Sequence, residues 1–347
     1  MLLVSARLGL LLVTLVASLH VAAEPRVWTL TEVRIGGEFI LAYRRDPVAG
    51  FVIYDDATRT ISNWSVHIPL MAPDLHSPGF TYVPGNSQAY VTFVGPLSGP
   101  PIFGFSAVVG VPGPNFGVRQ LRLVPLAALD GGNPVVTLDT SESREDSLVV
   151  ADFGLVGLTT RRPIASGSLT LAAQPPPVVI AQVDEFYHPG LRHYFITADD
   201  AEKQALVNGA PPGWERTGES FKAYTAGSRA GGSISPVCRF YSPPQICYEG
   251  QGCDVGTDSH FFSADAGECL AVFRGYGRIW GFESDNAFQI DVPDKTTGAC
   301  PVGTLPVQRL WNRRADSNHR YTTSAAIEAQ MLAAGYLAEG VVMCAVQ

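Results

Sequence analysis

From about residue 183 onward the chain writes one motif three times, and a repeat of this length means that each copy is a small structural unit needing its neighbours to bury a face. The first copy runs Asp184-Glu185-Phe186-Tyr187, His193-Tyr194-Phe195, Ala198-Asp199-Asp200-Ala201-Glu202 and Gly213-Trp214-Glu215. The second runs Cys238-Arg239-Phe240-Tyr241, Ser259-His260-Phe261-Phe262, Ala264-Asp265-Ala266-Gly267-Glu268 and Trp280-Gly281-Phe282-Glu283. The third runs Gln308-Arg309-Leu310-Trp311, Asn318-His319-Arg320-Tyr321, Ser324 to Glu328, and Gly335-Tyr336-Leu337-Ala338-Glu339-Gly340. The histidines fall 67 and 59 residues apart, with a one-residue slip between histidine and acidic segment from the first copy to the second.

Each copy reads as an aromatic strand, a second strand opened by histidine, a short helix, and a strand opened by an aromatic residue and a glutamate. In the third helix Ile327, Met331 and Ala334 recur at i, i+4 and i+7, Ser324 is placed to cap the start and Gly335 to stop it. Helices of about three turns are marginal alone in water, so the units, about 183–236, 237–304 and 305–347, are expected to pack around a pseudo-threefold axis.

Residues 24–172 have a different texture. Short runs such as Trp28-Thr29-Leu30-Thr31-Glu32-Val33 and Phe51-Val52-Ile53-Tyr54 alternate apolar and polar positions and are broken by turn residues. No convincing helix pattern occurs there. Gln174-Pro175-Pro176-Pro177 favours extended polyproline geometry, which makes 173–182 a stiff linker. The expected fold is mainly β: an N-terminal antiparallel β-sandwich, then a pseudo-threefold, β-trefoil-like repeat domain over 183–347 with three short helices.

Residues 1–23 read as an export signal, with Arg7, an apolar run from Leu8 to Leu19, and Val21-Ala22-Ala23 before the expected cleavage near Ala23. That run is too short to span a bilayer, which needs about 20 residues. The expected location is secreted or periplasmic, with no membrane span after cleavage. Six cysteines, Cys238, Cys247, Cys253, Cys269, Cys300 and Cys344, all lie in the last third, as a disulfide framework in an oxidising compartment would. Six allow 15 pairings, and Cys247–Cys253 is the local one. A net charge of −8 leaves no electrostatic footprint for nucleic acid.

The carboxy-terminal pattern resembles the bacterial repeat family of unknown function DUF5648, whose units read approximately R-F-Y, H-F-Y-T-A-D with a following A-E, and G-W with E-G. Cys238-Arg239-Phe240-Tyr241, Asp258-Ser259-His260-Phe261-Phe262, Glu268-Cys269, Thr297-Gly298-Ala299-Cys300-Pro301 and Asn318-His319-Arg320-Tyr321-Thr322-Thr323 fall in the family's order. The resemblance implies an exported accessory or surface-binding module and carries no catalytic residues. The amino-terminal half is similar to β-rich domains of exported bacterial proteins through Trp28-Thr29-Leu30 and the segment Tyr54 to Trp64.

His193, His260 and His319 invite a metal reading because neutral imidazole is the commonest metal ligand, but a residue recurring once per unit more often solves a local packing problem in each. No metal and no cofactor is expected. Tyr187, Tyr194, Trp214, Phe262, Trp280, Trp311 and Tyr321, beside those histidines, are candidates for stacking on sugars, with interior packing as the competing reading. Asp199, Glu202, Asp265, Glu268 and Glu328 sit at helix starts, where the helix dipole favours carboxylates. Glu215, Glu283 and Glu339 are assigned to turns or cross-unit pairs. The motifs of common nucleophiles and of phosphate and dinucleotide binding are missing. The expected function is non-catalytic binding of a cell-wall or extracellular glycan. The alternative is a secreted hydrolase with a catalytic sandwich and the repeat as its targeting module.

Overall fold

A computed structural model describes residues 24–36, 47–68, 80–93, 99–109, 117–149, 158–225, 233–248, 252–276 and 279–347. The expected export signal, 1–23, lies outside them. Among the described residues no helix is long and apolar enough to cross a membrane.

The amino-terminal half contains β1 (Arg26–Ile35), β2 (Pro47–Asp55), β3 (Thr60–Ile68), β4 (Phe80–Tyr82), β5 (Gln88–Phe93), β6 (Pro101–Val109), β7 (Gly117–Leu123), β8 (Val135–Thr137), β9 (Arg144–Val149) and β10 (Leu158–Ala172). They pair antiparallel in the order β4-β3-β2-β1-β10-β9-β7-β6-β5, with β8 also on β10. The long strand β10 joins two layers: Leu158–Pro163 pairs with β9, and from Ile164 onward the strand pairs with β1. Rings from the two layers meet across the core, Tyr54 on Phe103 at 5.0 Å and Trp64 on Phe105 at 6.1 Å. Gly167 lies beside the bulge of β1, where an added Cβ would come within 2.5 Å of the Val33 backbone.

One charged cluster is sealed in this sandwich. Glu145, fully buried, accepts from Arg119 and from the Tyr82 hydroxyl and pairs with Arg162. Burial pushes the Glu145 carboxyl up, but the two guanidinium charges outweigh that and hold it below its ordinary value.

The carboxy-terminal half repeats a strand–strand–helix–strand unit. The first copy is β11 (Ile180–His188), β12 (His193–Thr197), α1 (Asp200–Val207) and β13 (Glu215–Tyr224). Next come β14 (Ile234–Pro236) and the second copy: β15 (Cys238–Ser242), an inserted hairpin of β16 (Gln245–Tyr248) and β17 (Gly252–Val255), β18 (Ser259–Ser263), α2 (Ala266–Gly275) and β19 (Gly281–Ser284). After β20 (Gln289–Asp291) the third copy is β21 (Thr304–Trp311), β22 (His319–Thr322), α3 (Ala325–Ala333) and β23 (Leu337–Val346). In every copy the first strand is central, giving β12-β11-β13, β18-β15-β19 and β22-β21-β23, with the first and third sheets joined through β20. No barrel closes among the described residues.

The helices start alike for a local reason. Asp199, Asp265 and Ser324 are N-caps whose side chains accept from the N–H of Glu202, Glu268 and Ile327. Just after α3, Gly335, at φ +90°, lets Tyr336 N–H bond back to Met331.

Three disulfides hold this half: Cys238–Cys269, Cys247–Cys253 and Cys300–Cys344. The local pair expected from spacing is one of them and staples the inserted hairpin. The two halves meet where Leu270 of α2 enters the sandwich core and where Asp285 accepts from Thr81 at 3.2 Å and pairs with His67 at 3.0 Å.

Candidate binding clefts between the repeat units

The cap geometry sets the true correspondence among the copies. Thr197, Ser263 and Thr322 each stand two residues before an N-cap and accept its backbone N–H at 3.0 Å. Counting back from them, the second strands align His193 with Ser259 and Asn318, Tyr194 with His260 and His319, Phe195 with Phe261 and Arg320, and Ile196 with Phe262 and Tyr321. The histidine triplet read from the sequence is therefore not one structural position, and the one-residue slip is the reason.

His193, Ser259 and Asn318 meet where the three units touch. His193, 1% exposed, places Nδ1 2.8 Å from the Asp258 carbonyl oxygen and Nε2 3.2 Å from Asp316. The Asn318 amide accepts from Tyr194 N–H and donates to Tyr194 O and to Ser259 Oγ. Among the described residues no group of three His, Cys, Asp or Glu could hold a metal ion.

One contact pattern recurs at the boundaries between units one and two and between units two and three. Phe195 of the first unit packs on His260 of the second at 4.5 Å and under Arg239 at 6.0 Å. Phe261 of the second does the same with His319 at 5.2 Å and Arg309 at 5.0 Å. Each arginine grips the glutamate three residues past the preceding unit's N-cap: Arg239 holds Glu202, and Arg309 holds Glu268 with two bonds of 2.8 and 2.7 Å. Within its own unit each arginine also pairs with a third-strand glutamate, Glu283 or Glu339, which lies 3.4 Å from His260 or His319 respectively.

At the boundary between third and first units the charges are exchanged. Arg320 takes the phenylalanine position, stacks on Tyr194 at 4.2 Å and grips Glu185, which holds the arginine position. The preceding helix explains the exchange: Ile327 stands where Glu202 and Glu268 stand, so an arginine at 185 would have no partner there.

These surroundings set the protonation states. Burial, reinforced by the Arg309 charge, drives the His319 imidazole down to about 3 and keeps it neutral. Burial raises Glu283, but the hydrogen bond and charge of His260, with Arg239, bring it below its ordinary value. Asp265 is likewise lowered against burial, by the Glu268 backbone N–H and by Lys295.

Two clefts open along these boundaries. The smaller, about 410 Å³, lies between units one and two and is lined by Thr197, Ala198, Asp199, Glu202, Arg239 and, across from them, Asn286. The larger, about 810 Å³, carries the corresponding residues of units two and three, Ser263, Ala264, Asp265, Glu268 and Arg309. Its other wall comes from the sandwich: the Pro84–Gln88 turn, Ser106 and Val108.

Of the sugar-stacking candidates, Phe262 alone lines a cleft, and it is buried. Tyr321 is buried and its hydroxyl bonds the Phe262 backbone. Trp214, half-buried, packs edge-on to His188 and Phe195; Trp280 packs on Phe261; Trp311 donates to Ser317. Tyr194 lies between Tyr187 and Arg320, and His260 stacks on Tyr241 at 4.6 Å. Among the helix-start carboxylates, Asp199 and Asp265 cap while Glu202 and Glu268 bridge units. Thr217, not Glu215, occupies the position of Glu283 and Glu339, bonding Glu185 at 2.9 Å.

Sequence reading missed the arginines, although Arg239 and Arg309 recur at one place in the motif. It also missed the sandwich wall of the larger cleft, which carries no motif.

The chain matches the family described as a domain of unknown function (DUF5648) over residues 171–249 and 251–347. It belongs to that family. No curated protein and no solved structure matches it.

Proposed function

We propose that this is an exported, non-catalytic protein that binds a cell-surface or extracellular polysaccharide in the larger cleft. The observation that carries the reading is the cleft's lining. Asn86, Gln88, Ser106, Ser235 and Ser263 supply amides and hydroxyls, and Val108, Val292, Val341 and Val342 supply apolar surface between them. Arg309 pairs with Glu268 and Lys295 with Asp265, while the Asp294 carboxylate accepts from the backbone N–H groups of Thr296 and Thr297. Such a surface suits an uncharged polyhydroxylated chain better than an anion or a cation.

A proton donor for glycoside hydrolysis needs a carboxyl raised above its ordinary value. Asp265 in the cleft and Glu145 in the sandwich are both lowered, which supports binding over hydrolysis. The six cysteines paired as disulfides, with the signal-like leader, support export.

A glycan array probed with the mature chain and with Val108→Trp tests the proposal. Val108 lines the cleft and is largely exposed, so the indole fills the opening without disturbing the core. Binding that Val108→Trp abolishes is the expected result. No glycan bound, or binding indifferent to the substitution, overturns the reading.

A further inference from the structure

We infer that the smaller cleft is a second copy of the same subsite, shaped for the acetamido group of an N-acetylated hexosamine, so that one chain grips a repeating N-acetylated glycan at two points. The inference rests on the glycan reading of the larger cleft and names its substrate class. The first ground is correspondence. Thr197, Ala198, Asp199, Glu202 and Arg239 in one cleft occupy the positions of Ser263, Ala264, Asp265, Glu268 and Arg309 in the other, related by the N-caps and by strand register. Two copies of one recessed surface in a single chain suit a ligand that repeats along its own length.

The second ground is a polar atom left waiting. Asn286 Oδ1 is buried in the wall of the smaller cleft and has no hydrogen-bond partner. A buried acceptor left unpaired costs about 1–3 kcal/mol, so a ligand bringing a donor recovers that cost on binding. The same cleft is lined by Ala198 and Ala287, with the buried Ile196 and Phe288 also in its wall. An acetamido group offers one N–H donor next to a methyl group, which is the pairing this wall requires. In the larger cleft Val342 takes the place of Asn286, so the unpaired amide oxygen belongs to the first boundary.

The test measures affinities of the mature chain for chitobiose, chito-octaose and cello-octaose, the last lacking acetamido groups. Two engaged clefts make chito-octaose bind at least about tenfold tighter than chitobiose. Asn286→Leu keeps the side-chain size, removes the unpaired oxygen, leaves the melting temperature unchanged or raised, and brings chito-octaose down to the level of cello-octaose. Equal affinity for the two chito-oligosaccharides, or an Asn286→Leu variant that binds as the parent does, overturns the second subsite. In that outcome Val108→Trp still weakens cello-octaose if the larger cleft binds glycan. Oligosaccharide binding that Val108→Trp leaves intact overturns the larger cleft instead. Co-sedimentation with purified peptidoglycan against chitin then tells a cell-wall source from an extracellular one.

Discussion

Arg320 of the third repeat unit and Glu185 of the first form a bidentate pair, 2.9 and 2.8 Å, with both side chains at least nine-tenths buried. The pair closes the boundary between the last and first copies with charges opposite to those of the other two boundaries. Unit three therefore fits unit one, which has no arginine to offer in the manner of Arg239 and Arg309 of the other copies. Removing one partner strands a buried charge and costs about 3–5 kcal/mol. Glu185→Leu alone should lower the urea midpoint strongly, whereas Glu185→Leu with Arg320→Met should recover most of the loss. Additive losses in that double-mutant cycle would show that the two side chains do not act as a pair.

His319 makes the repeat domain sensitive to acid. Its folded-state pKa, about 3, lies below the unfolded value near 6.5, so the unfolded chain binds the extra proton first. The contribution is fully present above pH 6.5 and is lost as pH falls from there towards 3, by an amount on the order of 5 kcal/mol. Denaturant melts at pH 7 and pH 4 should differ by less in His319→Gln than in the parent. An unchanged difference would place the acid sensitivity elsewhere.

The disulfides should separate by exposure and loop length. Cys247 and Cys253 are exposed on a hairpin that, among the described residues, pairs with no other strand, while Cys238 and Cys344 are buried. Under mild reductant, alkylation followed by mass spectrometry should label Cys247 and Cys253 first. Closing a loop of 6 residues contributes about 2 kcal/mol in the chain-entropy account, against about 4 for the 44 between Cys300 and Cys344. Replacing Cys300 and Cys344 with alanine should therefore lower the melting temperature more than replacing Cys247 and Cys253.

The repeated unit was legible because its signals are local. A capping Asp or Ser, a hydroxyl two residues earlier and an aromatic strand lie within one short stretch, and each acts on its own backbone. The position of His193 was misread because identity was matched where geometry decides: Asn318, not His319, stands at its place, and only the distance to the N-cap shows it. Alternation revealed strands in the first half but not their order, since β10 changes partners at Pro163 through contacts remote in sequence. The larger cleft was invisible for the same reason, as Gln88 and Arg309 come together only in the folded chain.

The tryptophans separate stability from binding. Trp214 sits against His188 and Phe195, Trp280 against Phe261, and neither lines a cleft. Truncating a packed aromatic forfeits its buried area and leaves a cavity, up to about 3–5 kcal/mol where burial is complete and less at half-buried sites such as these. Trp214→Ala and Trp280→Ala should each lower the melting temperature while leaving glycan affinity, measured on the folded fraction below the transition, within about twofold of the parent. A tenfold loss of affinity at unchanged stability in either variant would move the binding surface from the clefts to the aromatic rings.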